Sequence, residues 1–378
     1  MKNTLICTVG TSLLNNLKRS EESILSAVMA KNWHQVALLL LEKANTDRLC
    51  GAEINSITSI CKKRLLAQYL RLIFLVSDTE DGRNTGALLK LYYENRQNPL
   101  QFEQVEVKVL KGLRDDDVYA FKTQGLKNLV REISSEVNKW SSEAIAINAT
   151  GGYKAQISFA GMIGQALEIP VYYLFEKFSE VIELPPQPIA LDLAFWLNHY
   201  VLFETLEAQE ILEKSLVAED LNNPYFHTLI ESTNEDLDQT QSSSDQLEYV
   251  CLSAMGILFN ERSRLQFAKQ SSAILSQIPQ DDTPPNQKVI KLRDDHGKDI
   301  LQVFSEKICR SSYVKSVINS LPFNPKQINP IRRTYSDGKV EWVLTWTDAG
   351  LGICIQTTGR NLAETNSIAI HLKEKFSN

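Results

Sequence analysis

The 378-residue sequence predicts an α/β protein with a doubly wound parallel sheet at its start, a helical connector in its middle and a small α+β domain at its end. Three observations carry this prediction. Short apolar runs alternate with helix-length segments at the start, the middle has mainly helical spacing, and the last part has apolar runs joined by hairpin signals. A chain of this length is expected to hold two or three domains. We place them at 1–190, 191–285 and 286–378.

Five apolar runs predict the sheet of the first domain. They lie at 5–9, 72–76, 105–110, 144–148 and 171–175. The segments between them space apolar residues three and four apart, as at Leu126, Leu129, Val130, Ile133 and Val137, which is typical of a helix with one buried face. Strands that alternate with helices favour a parallel, Rossmann-like sheet, and such sheets bind ligands beyond the carboxyl ends of their strands.

Proline-rich segments separate the three predicted domains. Prolines within 185–188 end the sheet domain, 191–278 is predicted to be mainly helical, and 281–285 is a linker. The last domain is predicted to contain a strand at 288–293, helices over 298–320, strands at 331–335, 340–347 and 352–357, and a closing helix at 363–376. The Asp-Gly and Ala-Gly pairs between those last strands indicate hairpin turns.

Charge is distributed unevenly along the chain. Residues 1–203 contain 22 Lys+Arg and 22 Asp+Glu, residues 204–287 contain 4 and 15, and residues 288–378 contain 14 and 9. The formal net charge of −6 therefore hides an acidic connector and a basic final domain. Because charge of one sign attracts the opposite sign, the final domain is suited to a phosphate-rich partner.

Composition excludes several classes of protein. The longest apolar runs, such as 36–41, are far short of the roughly 20 residues that span a bilayer. The first fifteen residues are predicted to form a strand and turn rather than a signal peptide. Six cysteines are scattered without a Cys-x-x-Cys pair, which favours reduced thiols in the cytoplasm and predicts no structural zinc. No cofactor is expected.

The fourth apolar run leads into a loop suited to a polyanion. The loop reads Asn-Ala-Thr-Gly-Gly-Tyr-Lys from Asn148 to Lys154 and precedes an amphipathic segment. Two glycines before a helix let backbone N–H groups approach a phosphate, and the helix start and Lys154 add positive charge. A hydroxyl-rich loop with Thr8, Thr11 and Ser12 follows the first run. Gly151 and Gly152 are also compatible with a simple strand-to-helix turn, but two such loops favour ligand binding.

These two loops resemble those of CARF domains, which occur in CRISPR-associated accessory proteins. The resemblance covers residues 1–195 and rests on Thr-Val-Gly-Thr-Ser at the end of the first strand and on the later Gly-Gly-Tyr-Lys. It implies a homodimer that binds a cyclic oligoadenylate, most often the tetra-adenylate, as an allosteric activator in CRISPR antiviral defence. The ligand contacts it implies are Gly10, Thr11, Ser12, Thr150, Gly151, Gly152, Tyr153 and Lys154.

Two further expectations concern this pocket. Asp78 and Thr79 follow the second strand and are either rim residues of the pocket or structural turn residues. Some relatives of the fold also cleave the ring slowly through the 2′-hydroxyl of the bound RNA. Lys154 and Ser12 are the residues that the resemblance would assign to such weak ring nuclease activity.

Two nuclease types are weighed against the final domain. A HEPN ribonuclease requires Arg, four to six residues and then His on a helix, and none of the five histidines has an arginine at that offset. A PD-(D/E)xK nuclease holds a divalent metal with carboxylates from a hairpin. Asp337 and Glu341 lie on a predicted hairpin, and Asp294 and Asp295 precede it, but Val343 occupies the expected lysine position. This alternative stays open.

The final domain resembles the RelE family of mRNA interferases. The resemblance rests on a strand–helix–helix segment followed by three strands and a helix, and on basic residues in the hairpin 331–339 and after the strand 353–357. It implies a metal-independent endoribonuclease that cuts mRNA on the ribosome and so inhibits translation. Cleavage by an internal 2′-hydroxyl needs the crowded phosphate to be stabilised, which arginine and lysine do electrostatically.

Several residues of the final domain are candidates for this chemistry. The resemblance assigns phosphate-facing roles to Arg333, Lys339 and Arg360, and Lys326 lies just upstream. Arg332 is adjacent to Arg333 and should point to the opposite face of its strand, so we expect only Arg333 of this pair to act. His296 is either an acid–base group or a helix cap.

The leading hypothesis is therefore a homodimeric, cytoplasmic ribonuclease of CRISPR defence that cyclic tetra-adenylate activates. Its expected partners are the ring, mRNA and the ribosome, with no membrane. Three alternatives remain: a basic surface that binds RNA without cutting it, a ring-gated metal-dependent nuclease, and a non-catalytic regulator that binds nucleic acid.

Overall fold

The computed structural model describes residues 1–175, 180–187, 191–233, 248–294, 297–325, 328–346 and 349–376. The chain forms two compact units. The first is Met1–Ala190 with Ser253–Leu258, and the second is Leu191–Leu252 with Phe259–Asn378. The three-domain division at residues 190 and 285 stays a prediction. In the described part of the chain, no helix is both long and apolar enough to cross a membrane.

The first unit is built on one six-stranded sheet with the order β3-β2-β1-β4-β5-β6. Its strands are β1 (Thr4–Thr8), β2 (Arg71–Ser77), β3 (Gln104–Leu110), β4 (Ile145–Asn148), β5 (Val171–Tyr173) and β6 (Ile182–Leu184). The first five are parallel, and β6 runs antiparallel to β5. The predicted α/β class with a parallel sheet is confirmed.

Helices accompany these strands along the first unit. They are α1 (Ser12–Leu17), α2 (Glu22–Met29), α3 (Trp33–Leu41), α4 (Gly51–Lys62), α5 (Glu80–Glu94), α6 (Val118–Ala120), α7 (Leu126–Trp140) and α8 (Lys154–Ala166). All five residues of β1 are buried, as expected of a central strand covered on both faces. The apolar residues that predicted α7 all lie in the core.

The strand order places the predicted loops side by side. Chain direction across the sheet reverses between β1 and β4, because β2 follows β1 on one side and β5 follows β4 on the other. Ligands of open α/β sheets bind at this switch point, outside the carboxyl ends of the strands. The loops after β1 and β4 are the two that the sequence singled out.

The second unit combines helices with two further sheets. Its helices are α9 (Leu193–Asn198), α10 (Tyr200–Gln209), α11 (Phe226–Leu229), α12 (Ala254–Ser276, whose first turn belongs to the first unit), α13 (Lys298–Ile308) and α14 (Leu362–Phe376). A small antiparallel sheet, β7-β9-β8, consists of β7 (Leu212–Glu213), β8 (Ile230–Thr233) and β9 (Tyr249–Leu252). The prediction of a mainly helical connector missed this sheet.

The larger sheet of the second unit has the order β10-β11-β14-β13-β12. Its strands are β10 (Val289–Ile290), β11 (Val314–Pro325), β12 (Ile331–Thr334), β13 (Lys339–Trp346) and β14 (Ala349–Thr357). Strand β10 is parallel to β11, and the remaining pairs are antiparallel. Trp342 and Ile331 are buried against Phe304 of α13 and its neighbours.

One sequence prediction in this sheet is wrong. Helices were predicted over 298–320, but the helix ends at Ile308 and the chain continues as strand β11. The register of β11 against β14 shifts between Val314 and Ser316 and again between Val317 and Asn319. Each bulge adds a residue, so Val314, Val317 and Ser320 are buried at a spacing of three, which imitates a helix. The topology now lacks the second helix on which the RelE resemblance rested.

Candidate functional site

The loops after β1 and β4 are joined directly by hydrogen bonds and close packing. Thr8 Oγ1 at the end of β1 donates to the carbonyl of Gly151. A Cβ atom on Gly10 would lie 2.8 Å from the backbone nitrogen of Gly152, which is closer than side-chain carbons approach. The loops therefore meet only because glycine occupies these positions.

A buried carboxyl group that sequence reasoning missed lies behind these loops. Glu53 of α4 is fully buried, and its Oε1 accepts a 2.8 Å hydrogen bond from the Gly10 N–H. A Cβ atom on Gly151 would lie 2.1 Å from the same oxygen. In the described part of the chain Oε2 has no hydrogen-bond partner. Glu53 shares a helix face with buried Ile57 and Ile60, and an acid in such an apolar stripe was the signal that could have found it.

We expect Glu53 to make stability depend on pH. Burial raises the pKa of Glu53, and the Gly10 amide only partly opposes this. The folded state then keeps the proton to a higher pH than the unfolded chain does, so the free energy of unfolding falls as pH rises through the folded pKa. Glu53→Gln should raise the free energy of unfolding at neutral pH, on the order of 1 kcal/mol, and flatten its pH dependence.

Urea unfolding of the wild type and Glu53→Gln at mildly acidic and neutral pH measures this effect. Glu22→Gln, which changes an exposed acid of α2, is the control and should match the wild type. A Glu53→Gln variant that is less stable than the wild type at both pH values would contradict the expectation.

Thr150 has a structural environment within the β4 loop. Its Oγ1 donates to Asn148 Oδ1 at 2.7 Å and accepts from the Leu174 N–H at 3.0 Å. Asn148 Nδ2 in turn donates to Ser56 Oγ of α4 at 2.8 Å. These bonds fix the loop from within, so Thr150 shapes the pocket with both of its hydroxyl roles already used.

The start of α8 presents the polar groups of the pocket. The Tyr153 N–H donates to Gln156 Oε1 at 3.3 Å, and the Tyr153 ring packs edge-on against Phe121 at 5.6 Å. Burial, with a contribution from Asp115, raises the pKa of Tyr153. Lys154 is the first residue of α8 and is exposed, as is Ser12 at the start of α1, while Thr11 is half-buried. Glycine amides, hydroxyls and one lysine thus meet at the switch point.

Asp78 and Thr79 are engaged in local hydrogen bonds. Asp78 Oδ2 accepts from the Gly112 N–H at 3.0 Å, and its other oxygen pairs with Arg83. Thr79 is the N-cap of α5, where its hydroxyl accepts from the Gly82 N–H at 3.0 Å. These contacts account for both side chains as turn and cap residues. Their role at the rim of the pocket stays a prediction.

The predicted basic residues of the second unit have different surroundings. Lys339 lies with Nζ 3.8 Å from the centre of the Tyr335 ring. Arg360 pairs with Glu364 of α14 at 2.7 Å and donates to the Gln277 carbonyl at 3.3 Å. Arg333 is exposed and lines a cleft on β12. Within the described chain, no hydrogen bond, ion pair or ring contact joins these three residues. His296 and Lys326 lie outside the described residues.

The carboxylates of the alternative metal-dependent nuclease are also dispersed. Glu341 accepts a 2.8 Å hydrogen bond from the Tyr335 hydroxyl and lies 3.9 Å from Arg332. Asp337 caps the hairpin by accepting from the Lys339 N–H at 3.2 Å, and Asp294 pairs with Lys298 at 3.1 Å. Among described residues, no group of three or more His, Cys, Asp or Glu side chains is placed to hold a metal ion.

Comparison with known proteins identifies a similar family for part of the chain. Residues 48–187 match the sequence model of a CRISPR-associated protein family, Cas_APE2256. The matched segment includes Glu53 on α4 and the whole loop after β4, and it spans less than half of the chain. The similarity supports a CRISPR-associated protein.

Among solved structures, Can2 from Sulfobacillus thermosulfidooxidans in complex with cyclic tetra-adenylate is similar at 12% sequence identity. The alignment covers 83% of this chain and 86% of that chain, with a TM-score of 0.23. A superposition with so low a score carries no argument about a shared arrangement.

Proposed function

We propose that this chain is a CRISPR effector that binds a cyclic oligoadenylate with its first unit and, in response, cleaves RNA with its second. The observation that carries the sensing role is the pair of glycine loops joined at the switch point between β1 and β4. The similarity of residues 48–187 to a CRISPR-associated family supports the biological setting.

The chemistry of the pocket suits a ring of phosphodiesters. Backbone N–H groups at Gly10 and Gly152, the Thr11 and Ser12 hydroxyls and the Lys154 ammonium are all groups that bind phosphate oxygens. The site offers one lysine rather than a broad basic surface, which fits a small ligand. A ring with twofold symmetry would be bound by the same loops from two chains, so the proposal includes a homodimer, with cyclic tetra-adenylate as the first ligand to try.

The proposed effector activity is metal-independent cleavage of mRNA by an internal 2′-hydroxyl, which would inhibit translation. It is supported by the net positive charge of residues 288–378 and by the exposed Arg333 beside a cleft. Dependence on the ribosome is a separate question, because the strand that replaces the predicted second helix removes part of the RelE likeness. Slow cleavage of the ring itself by Ser12 and Lys154 is a further part of the proposal.

The activity is tested by incubating the full chain with naked RNA, with translated mRNA and with plasmid DNA. Each substrate is tried with and without cyclic tetra-adenylate, in EDTA and in magnesium. Ring-dependent RNA cleavage in EDTA is expected. Cleavage of plasmid that requires magnesium would favour the metal-dependent nuclease, and binding without cleavage of any substrate would favour a regulator. Analysis of the ring after each reaction measures its own cleavage.

Lys154→Ala is expected to weaken ring binding about 10- to 100-fold. The ammonium group would form a charge-assisted hydrogen bond, whose loss costs about 1.5–3 kcal/mol. Calorimetric titration with cyclic tetra-adenylate measures the change. Lys62→Ala, at the opposite end of α4 from Glu53 and also exposed, should bind as the wild type does. Equal affinity in the two variants would remove Lys154 from the site.

A further inference from the structure

A cleft of about 150 Å³ in the second unit brings together polar residues from four separate stretches of the chain. His199 lies at the junction of α9 and α10, Asp220 in the turn that follows β7, Arg333 on β12 and Asn366 on α14. Drug-sized ligands occupy pockets of roughly 300–1,000 Å³. A cleft of this size instead fits a single phosphodiester group of a longer polymer.

His199 is held in a defined orientation at this cleft. Its Nδ1 lies 3.2 Å from Asp220 Oδ1. Its ring packs against Phe195 at 4.7 Å and edge-on against Phe226 at 4.9 Å. When Nδ1–H donates to the carboxylate, Nε2 carries the free lone pair of the neutral imidazole. Carboxylate-oriented imidazole is a common arrangement for a general base.

Arg333 differs from the other predicted basic residues because its guanidinium is uncommitted. It has no hydrogen-bond or ion-pair partner among the residues described, whereas Arg360 is paired with Glu364 and Lys339 lies over Tyr335. The register of β12 shifts between Ile331 and Arg333. Arg332 consequently approaches Glu341, and Arg333 lines the cleft beside His199.

Asn366 adds a buried acceptor that lacks a donor. The residue is 1% exposed, and its Nδ2 donates to the Leu197 carbonyl at 2.6 Å. Its Oδ1 has no partner in the described chain. Buried acceptors are usually satisfied, and a hydroxyl donor entering the cleft would satisfy this one. A ribose 2′-hydroxyl is such a donor, and deoxyribose lacks it.

We propose that this cleft is the RNA-cleaving site, with His199 as the general base, Arg333 as the phosphate-binding residue and Asp220 as a positioning residue. The inference rests on the proposed ribonuclease function. In the reaction, His199 Nε2 takes the proton of the 2′-hydroxyl while O2′ forms a bond to phosphorus. The P–O5′ bond breaks, O5′ takes a proton from water, and the imidazolium returns its proton to solvent.

The products of this step are a 2′,3′-cyclic phosphate and a 5′-hydroxyl. The Arg333 guanidinium stabilises the negative charge that gathers on the non-bridging oxygens. Asn366 accepts the 2′-hydroxyl in the ground state and aligns it near Nε2. The site thus lies across the predicted boundary at residue 285, because His199 and Asp220 precede it in the chain and Arg333 and Asn366 follow it.

The proposal is tested with full-length protein, cyclic tetra-adenylate, EDTA and an end-labelled RNA that the wild type cuts. His199→Gln keeps a donor for Asp220 but removes the base, and Arg333→Ala removes an exposed side chain without a packing role. Both should lower kcat about 10²- to 10⁴-fold while ring affinity and unfolding midpoint stay unchanged. Asp220→Asn should lower kcat with little change in KM.

Matched controls are His227→Ala and Arg310→Ala, which change exposed residues of the same unit away from the cleft, and both should cut as the wild type does. RNA with a 2′-deoxy sugar at the cut position should be resistant. Wild-type rates in His199→Gln or in Arg333→Ala, or cleavage of the 2′-deoxy RNA, would overturn the site while leaving the ribonuclease function intact. Failure of the wild type to cut any RNA would overturn both.

Discussion

Gly10→Ala is expected to weaken binding of cyclic tetra-adenylate about 100-fold or more. The added Cβ would lie 2.8 Å from the backbone nitrogen of Gly152 and 3.4 Å from its Cα. Since both atoms belong to the backbone, the strain is relieved only when the loops after β1 and β4 move apart. Two amide contacts to a charged ligand would then be lost, each worth about 1.5–3 kcal/mol.

Gly161→Ala is the matched control for this substitution. Gly161 lies within α8, and a Cβ there would meet no atom within 4 Å. Alanine in a helix interior is favoured over glycine by about 1 kcal/mol, so this variant should be slightly more stable and bind the ring normally. Calorimetric titration gives both affinities. Wild-type affinity in a folded Gly10→Ala protein would show that the joined loops do not form the binding site.

Glu204→Ala should lower the free energy of unfolding of the second unit by about 3 kcal/mol. Glu204 of α10 accepts from Arg264 Nε of α12 at 3.0 Å and from Lys373 Nζ of α14 at 3.0 Å. Its side chain is 10% exposed. Removing the shared carboxylate leaves two cations close together and largely out of water, which costs more than the loss of one surface pair.

The effect of Glu204→Ala should depend on pH. Burial alone would raise the pKa of Glu204, but Arg264 and Lys373 outweigh it and hold the pKa below its ordinary value. The carboxylate therefore stabilises the fold at neutral pH, and this contribution is lost as pH falls below about 4 through the folded pKa. Urea unfolding should show a large difference from the wild type at neutral pH and a smaller one in acid.

Glu374→Ala changes the neighbouring, exposed acid of α14 and serves as the control. Its unfolding midpoint should lie close to that of the wild type. If Glu204→Ala costs no more stability than Glu374→Ala at neutral pH, the three-residue network does not hold α10, α12 and α14 together.

The sheet of the first unit was predictable because its signals are local. Central strands such as β1 and β2 are buried on both faces, so they read as continuous apolar runs. The rule that ligands bind at the switch point then brought Gly10 and Gly151 together from distant parts of the sequence. Glu53 escaped prediction because its contact with Gly10 depends on how α4 packs beneath the loops, which no local pattern encodes.

The second unit was harder to predict for two physical reasons. Bulges in β11 replace the alternation of a strand with a spacing of three at Val314, Val317 and Ser320, so the pattern imitated a helix. The cleft assembles His199, Asp220 and Arg333 from segments more than a hundred residues apart. Arg333 was found because it belongs to a basic hairpin, whereas His199 lies in an acidic, apolar stretch with no motif.

Ligand sensing by the first unit is tested most directly by calorimetric titration of the full-length chain with cyclic tetra-adenylate, with linear tetra-adenylate as the comparison. We expect saturable binding of one ring per two chains, weaker binding of the linear form, and loss of binding in Gly10→Ala but not in Gly161→Ala. Absence of binding to a folded wild-type protein, or equal binding to Gly10→Ala, would contradict a cyclic-oligoadenylate site at the joined loops.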